Sequence, residues 1–251
     1  MPGWVEAGGW GLVGGSALLI GAAAGYLVRI PQKLIASIMA FGAGVLLSAV
    51  SFELVAEAHE RAGLAPTAAG TATGALVYTG CNMLLARRGA RHRKRSGDLQ
   101  PSEDEQGGSG TALALGALLD GVPESIVIGT SLLGGGAVSA VTVTAVFISN
   151  VPEGLASAAG MRRAGRSRGY VFGLWGGIAV LSGVAAVAGH LLLGGAAPAV
   201  LAFITALAAG AIITMIADTM IPEAFERTHL AMGLILVLGF LCAFALSTSD
   251  G

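Results

Sequence analysis

Residues 169–217 run for 49 positions without a single Asp, Glu, Lys or Arg. A water-soluble fold needs charge on some exposed face of every long element, and this segment has none to offer. Two bilayer-crossing helices of about 20 residues each account for it. The break between them is Gly194-Gly195-Ala196-Ala197-Pro198, a turn signal. Composition agrees. Of 251 residues, 54% are hydrophobic and only 12% charged, against about 25% charged in soluble domains. Cys81 and Cys242 both sit in apolar segments, so neither a disulfide framework nor a Cys-based zinc site is available. The basic residues are confined to short loops, which argues against nucleic-acid binding.

Further uncharged runs cover 7–28, 34–52, 62–86, 106–119 and 125–152, and another follows Arg227. The expected fold class is therefore an all-α polytopic membrane protein. Its eight spans lie near 8–28, 34–57, 67–86, 111–132, 138–160, 169–193, 199–221 and 229–248. The whole chain, 1–251, reads as one transmembrane domain. Lys and Arg fix its direction. The odd-numbered loops hold 13 of the 14 positive residues, and the even loops hold only Arg61. The odd loops are thus expected in the cytoplasm and both termini outside the cytoplasmic membrane. Glu6 and the lack of a basic leader make the N-terminal stretch a first span rather than a cleaved signal. The third loop, 88–110, begins as RRGARHRKRSG and turns acidic at Asp98, Glu103, Asp104 and Glu105. It reads as a flexible cytoplasmic linker that also sets topology.

Residues 41–61 (FGAGVLLSAVSFELVAEAHER) superimpose on 207–227 (LAAGAIITMIADTMIPEAFER) at an offset of 166. Ala43, Gly44, Glu57, Ala58, Glu60 and Arg61 recur as Ala209, Gly210, Glu223, Ala224, Glu226 and Arg227. The two copies are spans 2 and 7, which run in opposite directions. An inverted repeat is therefore expected, relating spans 1–3 to spans 6–8 around a span 4/5 hairpin.

That hairpin carries Val-Pro-Glu twice, in LLDGVPES (118–125) and ISNVPEG (148–154). Proline removes a backbone donor and frees a carbonyl one turn earlier, which lipid does not satisfy. Glu124 lies ten residues before the expected outer turn at Gly134-Gly135-Gly136, roughly 15 Å. Glu153 lies nine residues before Arg162, roughly 14 Å. Both fall near the middle of a core about 30 Å thick. Asp120 and Glu124 share a helical face at i, i+4, as do Asn150 and Glu153 at i, i+3. Such carboxylates must be neutralised by protons, cations or basic partners. No Lys or Arg lies within any span, so basic partners are not expected at that depth. An oxygen-rich set of this kind suits a hard or borderline divalent ion; a proton relay and helix–helix polar packing are the alternatives. Glu53 and Asp218, a turn inside the ends of spans 2 and 7, are expected as vestibule or secondary ligands. Glu57 and Glu223 lie nearer the interface.

These residues together resemble the ZIP (Zrt/Irt-like) family of divalent metal transporters over nearly the whole chain. Asp120-Gly121-Val122-Pro123-Glu124-Ser125 stands where that family carries His-Asn-x-Pro-Glu-Gly. Ser149-Asn150-Val151-Pro152-Glu153-Gly154 stands where it carries His-x-x-Pro-Glu-Gly. Glu53-Leu54-Val55-Ala56-Glu57-Ala58 matches its His-Leu-x-Pro-Glu-Ala, and span 7 keeps Ile221-Pro222-Glu223-Ala224. The motif histidines are replaced by Asp120, Ser149 and Glu53, so the chain is a divergent member on this reading.

The resemblance implies a secondary transporter, an importer, of a divalent metal substrate (Mn, Fe or Zn), without a resident cofactor and with no enzymatic activity. It also implies a homodimer in the bilayer. Loss of imidazole shifts the expected preference from Zn²⁺ toward Mn²⁺ or Fe²⁺. A carrier of protons or an organic cation, and a non-transporting metal sensor, are the competing readings.

Overall fold

The computed structural model describes residues 2–97, 100–102, 104–133 and 140–249. They form helices and turns, with no strand among them. The helices are α1 (Gly3–Leu27), α2 (Gln32–Ala49), α3 (Ala56–Ala62), α4 (Leu64–Ala86), α5 (Ser109–Ser131), α6 (Ala140–Arg163), α7 (Arg168–Leu193), α8 (Pro198–Met215), α9 (Ile221–Thr228) and α10 (Met232–Ser249). A π-helical segment, Val50–Val55, joins α2 to α3 in one continuous rod, and Ile216–Met220 does the same for α8 and α9.

Local sequence explains the boundaries. α7 ends at Leu193 and α8 begins at Pro198, so the Gly-Gly-Ala-Ala-Pro stretch makes the expected turn. Proline suits that first position because its missing N–H would have no partner there. Gly63, at φ +79°, breaks α3 from α4 in a conformation that side chains disfavour. The Ser167 hydroxyl caps α7 by accepting from the Tyr170 N–H (3.2 Å). The expected outer turn at Gly134–Gly136 lies outside the described residues.

Among the described residues, five helical stretches are long and apolar enough to cross a membrane: Gly3–Leu27, Gln32–Ala62, Ser109–Ser131, Arg168–Leu193 and Pro198–Thr248, the last running through α8, α9 and α10. α4 and α6 match them in length, but Thr, Ser, Asn and Tyr side chains dilute their hydropathy. Large apolar side chains, including Leu76, Leu84, Val184, Leu192, Leu234 and Leu238, stand exposed on the outer faces of α4, α7 and α10. This all-helical architecture, with its apolar exterior, is that of a membrane protein.

The rods pack as two units. α1, α5, α6 and α7 group in one, and α2–α3, α4, α8–α9 and α10 in the other, with α2 packed on α6 and α8 on α5 joining the two. Leu18, Leu113, Met161 and Trp175 form a core within the first, whereas the core around Met39, Leu46, Tyr78, Ile212 and Met215 of the second also takes in Val127 of α5 and Leu155 of α6. Small residues set the spacing. A Cβ on Gly154 of α6 would lie 2.1 Å from the Leu18 carbonyl oxygen of α1. This close seam holds α6, and with it Glu153, against α1. The 166-residue offset reappears in the backbone. The two π segments begin at Val50 and Ile216. Gly44 abuts Leu236 of α10, and its counterpart Gly210 abuts Thr71 of α4.

Candidate functional site: a buried acidic cluster bridged by loop cations

Asp120, Glu124, Asn150 and Glu153 are all buried. α5 supplies the first two and α6 the others, as the i, i+4 and i, i+3 spacings require. Pro123 and Pro152 sit inside α5 and α6 without ending them. Asn150 is oriented by α1, donating from Nδ2 to the Gly14 carbonyl (3.0 Å). Glu124 Oε1 and Glu153 Oε1 have no hydrogen-bond partner, so the cluster retains acceptor capacity facing inward.

The neutralising charge is the main correction to the sequence reading. Basic partners are present at this depth, and the third loop brings them. Arg93 and Lys94 are 3% and 5% exposed, although neither belongs to a long helix. Arg93 grips Asp120 with two bonds, Nε to Oδ2 and Nη2 to Oδ1, each 2.9 Å. Its remaining N–H groups reach Tyr78 Oη (2.7 Å) and Asn82 Oδ1 (2.7 Å) on α4. Tyr78 in turn donates to Asp120 Oδ1 (2.6 Å). A planar guanidinium with every edge occupied is the arrangement for which Arg is suited. Lys94 Nζ stands 2.7 Å from Glu153 Oε2 and 3.4 Å from Asp120 Oδ2, an ion pair without aligned hydrogen-bond geometry.

The loop is correspondingly a docked segment over its described part, and the expectation of a flexible linker is corrected there. Ser96 donates from its backbone N and its Oγ to Glu223 Oε1 (2.9 and 2.7 Å). Arg95 pairs with Glu226 and donates to the Pro222 carbonyl (3.0 Å). Gln100 Nε2 reaches the carbonyls of Arg93 (3.0 Å), Arg95 (3.0 Å) and, on α6, Ser157 (3.2 Å). Burial first, then the charges of Arg95 and Arg91, push the His92 imidazole below its ordinary value, so it adds no charge here at neutral pH.

Two glycines admit the loop. A Cβ on Gly116 of α5 would lie 2.5 Å from Arg93 Cδ, and one on Gly160 of α6 would lie 2.1 Å from the Arg95 carbonyl oxygen. Arg93, Lys94, Asp120, Asn150 and Glu153 also line a cavity of about 10 Å³, which matches roughly one water molecule.

The outlying candidates separate. Asp218, exposed, is tied to the cluster because Asn82 Nδ2 donates to its Oδ2 (3.4 Å) while Asn82 Oδ1 accepts from Arg93. Glu53, half-buried, accepts instead from Ser247 Oγ of α10 (2.6 Å) and is not brought to the cluster. In this arrangement no three His, Cys, Asp or Glu side chains among the described residues are grouped to hold one ion. Lys94 Nζ lies between Asp120 and Glu153. Arg93, Lys94, Tyr78 and Asn82 were missed as site residues. The i, i+4 spacing of Tyr78 and Asn82 at the loop end of an apolar span was their available signal. Comparison with protein-family models and with characterised proteins finds no match to this chain.

Proposed function

We propose that this protein is a secondary transporter of divalent metal cations, taking them into the cytoplasm through a site built by Asp120, Glu124, Asn150 and Glu153. The observation that carries this reading is the cluster itself. Three carboxylates and an amide meet inside an apolar helical body, and their counter-charges come from a loop rather than from a helix. A cluster compensated by helix-borne Arg or Lys would be a permanent structural pair. One compensated by a loop can exchange its cation.

Supporting this reading, the two helical units meet at the cluster: Asp120 and Glu153 belong to one, Tyr78 and Asn82 to the other. On this proposal eight rods cross the membrane with both termini outside. The unit of α1, α5, α6 and α7 shifts against the other to open the site to each side in turn. The matched π segments and the Gly44/Gly210 contacts favour an inverted repeat. Oxygen-only ligation favours Mn²⁺ or Fe²⁺ over Zn²⁺, and a homodimer is proposed from family resemblance alone. The Lys94 ammonium lying between two of the carboxylates favours one second reading, a non-transporting cation receptor on the same scaffold.

The test is Mn²⁺-dependent thermal stabilisation of the purified protein. At an ion concentration near 100 times Kd, binding adds about 2.7 kcal/mol, and Glu124→Gln/Glu153→Gln should remove it. Equal stabilisation of both proteins would place the ion elsewhere. Competition in which Zn²⁺ clearly displaces Mn²⁺ would sink the proposed preference.

A further inference from the structure

We propose that Arg93 and Lys94 are a tethered cation, a latch that occupies the carboxylates of the transport site and must be displaced when the divalent ion binds. This rests on the reading of Asp120, Glu124, Asn150 and Glu153 as that site.

Competition follows from geometry. The Lys94 ammonium lies within 3.4 Å of both Asp120 and Glu153, and the cavity left beside it holds about one water. A divalent ion and the ammonium do not fit together there. The ammonium, with two carboxylate neighbours, is also held at fewer points than the Arg93 guanidinium, which bonds Asp120, Tyr78 and Asn82. The divalent ion brings two charges to the carboxylates where Lys94 brings one.

The same segment clamps the moving parts. Arg93 bonds Asp120 of one unit and Tyr78 and Asn82 of the other. Ser96 holds Glu223 on α9, while Gln100 holds the Ser157 carbonyl on α6. With the latch in place the two units are stapled together on the loop side. Displacement of Lys94 by the ion is the first step in releasing that staple, so ion binding is coupled to freedom of movement. The occupied state pairs Asp120 and Glu153 with loop cations inside the apolar body and leaves Glu124 as the carboxylate without one.

The sequence supplies its own probe. Its only two lysines are Lys94, buried, and Lys33, exposed. In detergent, where both faces are reachable, an amine-acylating reagent followed by peptide mass spectrometry reads Lys94 against Lys33 within one molecule. Without divalent ion, Lys94 should react at least about tenfold more slowly than Lys33. Saturating Mn²⁺ should bring it toward the Lys33 rate. Gly160→Ala supplies a variant that leaves every charge in place, because the added Cβ meets only the loop. It should uncover Lys94 without ion and tighten Mn²⁺ half-saturation by about tenfold. Arg93→Gln/Lys94→Gln should tighten it likewise. Lys94 reacting as fast as Lys33 with no ion present overturns the latch. So does Lys94 staying protected in saturating Mn²⁺ that the same preparation transports, or unchanged Mn²⁺ affinity in both variants. If Mn²⁺ uncovers Lys94 but neither wild type nor Gly160→Ala carries the ion into vesicles, the transport reading falls and the latch stands as an ion-operated switch.

Discussion

The ends of the two π-containing rods carry one sequence motif and two different environments. Glu57-Ala58-His59-Glu60-Arg61 closes α3, and Glu223-Ala224-Phe225-Glu226-Arg227 lies in α9. Glu57 is exposed and pairs with Arg61 of its own helix one turn on. Glu223, 2% exposed, accepts from Ser96 and lies 3.6 Å from Arg95. The rods are alike and their surroundings are not, because the third loop folds over one end only. A carboxylate's role in this molecule is therefore set by what the loop brings to it, as much as by its helix. The acidic cluster of α5 and α6 is the stronger case of the same effect.

The contrast can be broken in several ways. The largest effect is expected for Asp120→Ala, which leaves the buried Arg93 guanidinium without its carboxylate and should cost about 3–5 kcal/mol. Arg61→Ala, at the exposed end, should cost less than about 1 kcal/mol. Thermal unfolding in detergent reads both, and equal losses would erase the difference between the two ends. Next come Gly44→Ala and Gly210→Ala, which should be alike. The added Cβ would lie 1.9 Å from the Leu236 carbonyl oxygen in one and 2.0 Å from that of Thr71 in the other. Each should destabilise by about 1–3 kcal/mol; a harmless change at either position would show that the rods are not equivalent where they enter their units.

Smaller effects sharpen the picture. Glu223→Ala should cost about 1–3 kcal/mol by leaving the Ser96 donors unpaired, and Glu57→Ala about 0.2–1 kcal/mol. Hydrogen exchange over residues 93–97 should accelerate only in the first. The smallest effect lies at the solvent-exposed end of the loop. Glu105 accepts from the Ser102 backbone N–H (2.8 Å) and Oγ (3.0 Å), and these bonds hold its carboxyl below its ordinary value. A depressed carboxyl contributes fully above its unfolded-state value, and the contribution fades as pH falls through the folded-state value. Exchange at the Ser102 amide should therefore rise on acidification below the usual carboxylate range, relative to its intrinsic rate. Glu105→Gln should flatten that dependence.

Much of this was legible beforehand because it is written in spacing. The turn before Pro198, the 166-residue offset and the shared faces of Asp120 with Glu124 and Asn150 with Glu153 follow from periodicity alone. The loop's destination does not. Counting charges inside spans leaves out long side chains that reach in from outside them, as Arg93 and Lys94 do, with notches at Gly116 for Arg93 and at Gly160 for the Arg95 backbone. In a chain with 40 glycines, nothing in composition singles out those two. Glu53 illustrates the converse. Its motif position suggested a ligand, but the rod turns it toward Ser247, away from the cluster.

The central claim is that the carboxylates of α5 and α6 carry a divalent ion across the membrane. Uptake of Mn²⁺, Fe²⁺, Zn²⁺ and Cd²⁺ into proteoliposomes, with wild type beside Glu124→Ala/Glu153→Ala, tests it most directly. Saturable wild-type uptake, lost in the double variant while folding and insertion are retained, is the expected result. No uptake by correctly inserted wild type, or uptake that survives in the double variant, would contradict it.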